Sequence, residues 1–567
     1  MLFYEKFFYI LTKKELKNLI FVFIGVACTT VLDILSFGLI VPVFQIILFN
    51  EPPNIFFFKI NNFDLDINFK IIILLAFLLI FFFKNIIIIY FSYFSIKSLQ
   101  NISVRISSQL FNLFLTQDYI IYLKNSSENY LQKITTDSGN VNNFFIGILN
   151  LVIEIIFVIG ILFLLFFTNI KMFLFCFFTF FLVISFYIIY FNKRLKRWSY
   201  ESRNSLSLLQ LIIIDGFRGF KDIIIYDLRS HFTNNYNNQL NISNSTSVKI
   251  TFLNSVQKYW LEIVGLFSIS FALIYFVFVE FEITKLVPVL GLFVLAFFRL
   301  LSSFSRIILH GQNMKFYLPS FNALALCFEE LSKNKRANLE YQAPFHKSVE
   351  FINVSFSYPI NKVNILEDIN LKINKGESIC IIGKNGTGKS TFLNLVSGLL
   401  QPTKGNIIID GKDDLFINRD SWVQHLCYVQ QNIFLINSTI KNNIVLTEEK
   451  NIDTLKFNKI EHLLKLNHFF NELPQKLNTK TGNDGINLSG GQKQIISLAR
   501  ALYKDSNILI FDEPTAALDE TKIKLFKEVI RLLKGKKTIF MVTHNKNNFE
   551  NCFDKILFFE SKKVKLI

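Results

Sequence analysis

Cysteine is scarce and unpaired. The six (Cys28, Cys176, Cys327, Cys380, Cys427, Cys552) are scattered over 567 residues with no CxxC, which argues against a disulfide framework or a zinc site. There is no internal repeat. The N-terminus, MLFYEKFFYILTKKELKNLI, has an early Glu5 and no small-residue cleavage site. It does not read as a signal peptide, and an amphipathic helix lying on a membrane surface is expected instead. Acid is also in short supply: 43 Asp and Glu against 60 Lys and Arg leave a net charge of +17. Such a balance suits nucleic acid, or a membrane with basic loops on its cytoplasmic side.

What is abundant is apolar. Half the chain is hydrophobic and 67 residues are Phe. The long apolar runs all precede about residue 325, and ordinary globular composition follows. The length allows several domains. A spanning helix needs about 20 apolar residues, and six stretches qualify: 19–49, 70–98, 141–168, 170–192, 250–280 and 285–320. Several exceed the membrane thickness and should continue into water. The second-to-third and fourth-to-fifth connections are long and basic, the latter opening NKRLKRWSYESR. The positive-inside rule then places both termini and these connections in the cytoplasm. Short helices are expected within TQDYIIYLKNSSENYLQKI (from Thr116) and LLQLIIIDGFRGFKDIIIYDL (from Leu208). The expected organisation is a membrane domain over 1–325, a charged linker over 326–348 and a soluble domain over 349–567. The expected fold is multi-domain: an all-α six-helix transmembrane domain, then an α/β P-loop NTPase domain with an antiparallel β subdomain.

Gly383, Lys384, Asn385, Gly386, Thr387, Gly388, Lys389 and Ser390 read GKNGTGKS. This fits GxxxxGK[ST], preceded by a strand-like SICII and followed by a helix-like TFLNLVSGLL opening at Thr391. Glycines let the backbone N–H groups converge on phosphate at a helix N-terminus. Lys389 should reach the β- and γ-phosphates, and Ser390 should ligate Mg²⁺. Downstream, the apolar run Ile508 to Phe511 ends in Asp512 and Glu513. An Asp there can hold a metal shell, and a Glu beside it can polarise an attacking water. Between them NLSGGQKQIISLARAL places Ser489, Gly490, Gly491 and Gln492 at a second helix N-terminus.

These motifs, in this order and spacing, resemble the ATP-binding cassette (ABC) transporters, whose own signature is LSGGQ. The resemblance implies ATP as nucleotide and Mg²⁺ as cofactor. It implies that Tyr358 stacks on adenine, that Gln431 reaches the metal beside Ser390 and Asp512, and that Asp519 lines the nucleotide dimer. Glu513 and His544 become the candidate catalytic pair. Ser489 to Gln492 of one chain are expected to close over the Walker A loop of a second, so a half-transporter working as a dimer, with an identical chain as the expected partner, is implied. Four positions depart from the family pattern: Gln430 for Pro, Asn483 for Glu, Ile495 for Arg and Ala516 for Ser. A soluble nucleic-acid-repair ATPase of the same superfamily is excluded by the six apolar spans, so no nucleic acid partner is expected. The helices-then-cassette order resembles exporters of the bacterial cytoplasmic membrane, and no peptidase domain is seen before the helices.

Charge within the spans points to cargo, since ionisable residues there are costly. Lys84, Lys258, Arg299 and Arg306 are the candidate substrate residues, with Asp33, Glu154 and Glu262 as acidic counterparts. One reading is internal ion pairing or snorkelling. The other is a basic patch for a phosphate or pyrophosphate headgroup. VLAFFRLLSSFSRI and FFKNIIIIYFSY are similar to segments of bacterial flippases of lipid-linked oligosaccharides, and 50–69 sits where those carry a short external helix. An anionic glycolipid is then the expected cargo. A general drug, lipid or peptide exporter is the alternative, and an ATP-gated channel a third.

Overall fold

A chain in lipid must satisfy every backbone polar group internally, so long apolar runs become helices. In the computed structural model the described residues are 7–567, leaving out 8, 40–42, 44–53, 56–57, 60–66, 169, 279–282, 334–344, 360–362, 447–451, 545–548, 550 and 561. The first unit, Met1–Gln117 with Ile121–Lys335, is helical. Its long helices are α1 (Lys13–Gly38), α2 (Ile67–Thr116), α3 (Ser138–Thr168), α4 (Ile170–Arg218), α5 (Arg229–Phe278) and α6 (Ile283–Lys333). At about 1.5 Å per residue, helices of 49 to 51 residues (α2, α4, α5, α6) run about 75 Å, far beyond a bilayer core. Among the described residues, Lys13–Ser36, Lys70–Thr116 and Ser127–Phe166 are long and apolar enough to cross a membrane. The stretches 170–192, 250–278 and 285–320 lie in helices where many side chains fall outside the described residues, and 279–280 lie outside the described residues altogether. Because α6 continues to Lys333, residues 326–333 of the expected linker are helical.

Short helices Tyr119–Lys124, Ser127–Gln132 and Phe220–Ile225 occupy the two long connections. A π-helical turn, Lys133–Asp137, leads into α3. Its Asp137 is fully buried and receives Arg203 of α4 at 3.2 and 2.7 Å. A buried charge tolerates such a place only when paired in this bidentate way.

The described end of the N-terminal segment packs on the helix bundle. Ile10 and Leu11 are buried with Leu99 and Ile106 of α2, Val141 and Phe144 of α3, and Phe321 of α6. Joining this cluster removes the apolar surface of Ile10 and Leu11 from solvent. Within 50–69, Asn54–Ile55 pairs antiparallel with Phe58–Lys59, so these four residues form strands (β1, β2) and not a helix; much of the remainder lies outside the described residues.

The second unit, Asp118–Ile120 with Arg336–Ile567, holds two sheets. One is antiparallel, in the order β4 (Asn364–Asn374), β3 (Ser348–Ser357), β6 (Lys404–Ile409), β7 (Asp413–Asp414). The other runs β12 (Lys563–Leu566), β11 (Lys555–Glu560), β5 (Ser378–Gly383), β10 (Thr538–Val542), β9 (Ile508–Asp512), β8 (Leu426–Val429). All its neighbours are parallel except β11–β12. The central strands are buried almost throughout, as parallel strands covered on both faces must be. In register, Val542 of β10 faces Asp512 on one side and Ile381 on the other. Gly383 and Asp512 therefore emerge together at the carboxyl edge, where open α/β sheets bind ligands.

Candidate functional site

The loop after β5 turns into α7 (Lys389–Val396) through Gly388, which sits at φ 98°. A Cβ there would also stand 2.8 Å from Leu366 Cδ2. Only glycine takes that conformation without cost. The Lys389 ammonium, 7% exposed, donates to the carbonyls of Gly383 (2.8 Å) and Lys384 (2.9 Å). Thr387 Oγ1 donates to Lys384 O at 2.8 Å. The lysine is thus held over its own loop, with Ser390 exposed beside it and Thr391 buried beneath. An ammonium gathered under a ring of backbone N–H groups at a helix start is an anion site.

Asp512 ends β9 and Glu513 follows at φ 49°, a left-handed conformation unfavourable for Glu. Its N–H is tied to Val542 O at 3.1 Å. This backbone turn aims the Glu513 carboxylate at two partners. Gln431 Nε2 donates to Oε2 and His544 Nε2 meets Oε1, each at 2.9 Å. Residues 82 and 31 positions away in sequence converge on one carboxylate. Asp512 is held above the usual carboxylate range, chiefly by burial, although the Ser390 hydroxyl bonds to it. Burial pushes the Tyr428 hydroxyl far up, and the charge of Asp512 adds to this. The Tyr428 hydroxyl lies 3.4 Å from Asp512 Oδ2. Tyr428 is the residue that sequence reasoning missed; its one signal is its place on β8, three residues before Gln431.

Ser390, Asp512 and Gln431 offer hard oxygen donors, and a buried carboxylate under burial strain is what a cation would relieve. The donor set fits Mg²⁺, which would be held by these three and would supply charge neutralisation at the phosphates.

Ser489 caps α8 (Gly490–Lys504) by a reciprocal box: Gln492 N donates to Ser489 Oγ (3.2 Å) and Ser489 N to Gln492 Oε1 (2.9 Å). Ser489 and Gly490 stay exposed while Gly491 is buried. Asp519 caps α9 (Glu520–Leu533), and the Lys522 ammonium, the Thr521 hydroxyl and the Lys522 N–H hold its carboxyl well below the usual range. Tyr358 is half-buried, edge-on to Phe356 at 5.0 Å between centroids. Among the departures, Asn483 accepts from Asn437 at 3.0 Å, Ile495 is fully buried and Gln430 is exposed.

Within the first unit, the intramembrane cations are not a free basic patch. Lys84 Nζ is 2.6 Å from Asp33 Oδ1 and 3.1 Å from Ser36 Oγ, with the Phe81 ring 4.3 Å away. Arg299 Nη2 reaches the other oxygen of Asp33 at 3.5 Å and lies over Phe157 at 4.4 Å. Arg306 grips Glu154 through Nε and through Nη2, the latter at 3.1 Å. Lys84 is only 8% exposed, so its charge is spent inside the helix bundle. Arg299 and Arg306 keep 36% of their side chains accessible. Lys258 lies outside the described side chains.

Residues 18–305 match the family model of the ABC transporter transmembrane region, and residues 366–516 that of the ABC transporter. An ATP-dependent lipid A-core flippase of Wigglesworthia glossinidia brevipalpis is 27% identical over 485 residues, spanning 83% of this chain and 81% of its own. The lipid A-core flippase of Desulfotalea psychrophila is 39% identical over 212 residues, 37% of this chain and 36% of its own. A solved bacterial Atm1-family ABC exporter with ATP bound superimposes with a TM-score of 0.77 at 18% identity, over 98% of this chain and 95% of that one, which shows the fold.

Proposed function

The chain belongs to the ABC transporters, and from that premise we propose that it is a half-exporter that flips an anionic glycolipid, lipid-linked oligosaccharide or polysaccharide-related, across the bacterial inner membrane. Its coarser activity is ATP hydrolysis coupled to transport. The observation that carries the finer reading is the pair of half-exposed guanidinium groups, Arg299 and Arg306, seven residues and two turns apart on α6. A planar fork on a helix suits phosphate or pyrophosphate oxygens. Asp33 and Glu154 fix the two forks in orientation while neutralising part of their charge, so a phosphate would compete for donors already positioned.

In the same reading, Glu513 is the general base, His544 holds the γ-phosphate side, and Ser390, Gln431 and Asp512 hold Mg²⁺. Gly383 to Thr391 cradle the phosphates and Tyr358 meets adenine. Ser489 to Gln492 serve a second, identical chain. Both termini face the cytoplasm.

The test is a pyrophosphate-lipid-stimulated ATPase and flipping assay with Arg299→Ala and Arg306→Ala. Both should lose headgroup stimulation while basal hydrolysis persists. Unchanged transport in both variants would remove the cationic recognition. The alternative, a general drug, lipid or peptide exporter, has its own support in an apolar-walled cavity of about 560 Å³ between α5 and α6. Stimulation by neutral apolar compounds, with indifference to pyrophosphate lipids, would favour it.

A further inference from the structure

A second cavity, of about 180 Å³, lies where α1, α2 and α3 meet. Its polar lining comes from all three helices: Thr29, Thr30 and Asp33 of α1, Ser95 of α2 and Asn150 of α3. Phe91 of α2 forms an apolar wall, and Gly25 leaves room for its ring against α1, where a Cβ would strike it. Polar side chains gathered within apolar spans are costly without partners. The hydroxyls of Thr29, Thr30 and Ser95 donate to the carbonyls of Val26, Ala27 and Ser92, each at 2.8 Å. Their protons are thereby spent, and what they offer the cavity is lone pairs. Asp33 adds a carboxylate whose Oδ1 holds Lys84 at 2.6 Å and whose Oδ2 meets Arg299 only at 3.5 Å. Asn150 adds an amide that both donates and accepts. The cavity is therefore rich in acceptors. At about 30 Å³ per water it has room for about six waters, roughly the bulk of one sugar ring.

We propose that this cavity is a sugar subsite: it takes the ring bonded directly to the phosphate that Arg299 receives. This rests on the anionic-glycolipid reading above and says where the sugar next to the phosphate sits. Ionised phosphate oxygens only accept hydrogen bonds, so an acceptor-rich cavity rejects them and leaves them to the guanidinium. A pyranose brings several O–H donors, and an N-acetylated one an N–H donor as well. Such a ligand matches lone pairs on Thr29, Thr30, Ser95 and Asp33, while its C–H face lies against Phe91. Asp33 joins the two subsites, since it lines the cavity and also meets Arg299. Two groups bonded to each other on one ligand need that adjacency. The probes are undecaprenyl pyrophosphate, bare or carrying one N-acetylglucosamine, and the free sugar.

The full-length protein, purified in detergent, is equilibrated with each probe, and bound ligand is counted by native mass spectrometry. The wild type should retain the glycosylated lipid about tenfold better than the bare one, the scale of one or two net hydrogen bonds. Asn150→Leu removes the amide and Ser95→Leu fills the cavity. Each should bring the glycosylated lipid down to the level of the bare one while retention of the bare lipid, the control for folding, stays unchanged. Arg299→Ala should weaken both lipids together. Equal retention of the two lipids by the wild type, as when the cavity holds only water, overturns the sugar subsite. Discrimination that persists in both leucine variants overturns it too. Retention of neither lipid by the wild type removes the anionic reading and the subsite with it. Free N-acetylglucosamine retained as well as the glycosylated lipid would overturn the link between sugar and phosphate. If Arg299→Ala is silent while the leucine variants abolish the preference, the phosphate contact fails and the sugar subsite stands.

Discussion

In the proposed reading, Glu513 is the residue on which hydrolysis turns. Its left-handed backbone is a strained conformation, retained because Val542 O holds its N–H and Gln431 and His544 hold its carboxylate. Glu513→Gln keeps the shape and removes the carboxylate that the proposal makes the base. Hydrolysis should fall by about 100-fold or more, with ATP retained on the protein, as radiolabelled nucleotide after rapid gel filtration would report. Turnover that stays undiminished would contradict its assignment as base. Asp410 gives a second residue-scale expectation. Its carboxylate accepts N–H bonds from His346 (2.7 Å), Lys347 (2.6 Å) and Ser348 (2.9 Å), where the chain enters the cassette. Burial alone would raise its pKa, but the N–H donors outweigh it and hold it below the usual carboxylate range. A folded-state pKa below the unfolded one contributes stability above the unfolded value, lost as pH falls through the folded value. Asp410→Ala should therefore lower the melting temperature of the detergent-solubilised chain at neutral pH, by the equivalent of about 1–2 kcal/mol. The gap between variant and wild type should narrow progressively as pH falls below about 4. A gap that is constant with pH would remove the carboxylate's charge from the account.

At the scale of elements, a polar latch joins the segment after Gln431 to the helix that Ser489 opens. Arg500 of α8 donates to Asn443 O (2.8 Å), Phe434 O (3.0 Å) and Asn443 Oδ1 (3.3 Å). Asn443, fully buried, donates to Ile436 O (2.8 Å) and Thr439 O (3.1 Å), and accepts from Ile436 N (2.9 Å). Asn443→Leu keeps the volume and removes the acceptor of the Ile436 N–H and of Arg500 Nη2, while Ile436 O keeps Thr481 Oγ1 and Thr439 O keeps the Asn443 N–H. It should cost about 1–3 kcal/mol in thermal stability and loosen the Gln431 segment, raising the KM for ATP more than it lowers kcat. An ordinary melting curve would refute the latch. Elements also explain what was legible beforehand. The phosphate loop, LSGGQ and the Asp512-Glu513 pair were readable because each is contiguous and its backbone chemistry is local. The partners of Lys84 and Arg299 were readable only as a choice between ion pairing and a free patch. Asp33 meets both because the rotations of α1, α2 and α6 about their axes happen to agree, and apolar runs carry no signal for rotation. The cluster that buries Ile10 and Leu11 was hidden for the same reason: an amphipathic segment does not say which helices cover its apolar face. Tyr428 escaped because its contact with Asp512 depends on strand order, β8 beside β9, and not on spacing.

At the scale of the whole molecule, the chain displays an exposed Ser489 and a phosphate loop exposed at Lys384, Asn385, Gly386 and Ser390. A symmetric pair of chains, each closing its Ser489 over the other's Lys389, would make two sites of equal composition. That arrangement has a consequence that a site complete within one chain does not share. Lys389→Ala damages only the loop of its own chain, and Ser489→Arg only the signature helix of its own chain. In a dimer carrying one of each, one site takes both lesions and the other takes neither. Co-expressed with different affinity tags and purified through both, such mixed dimers should trap about one ATP for every two trapped by the wild type in a Glu513→Gln background. Dimers uniform for either variant should trap close to none. Counting trapped nucleotide, and not turnover, keeps the outcome readable even when hydrolysis requires both sites to fire. Mixed dimers that trap no more than the uniform ones would place the helix that completes the Lys389 loop somewhere other than the second chain.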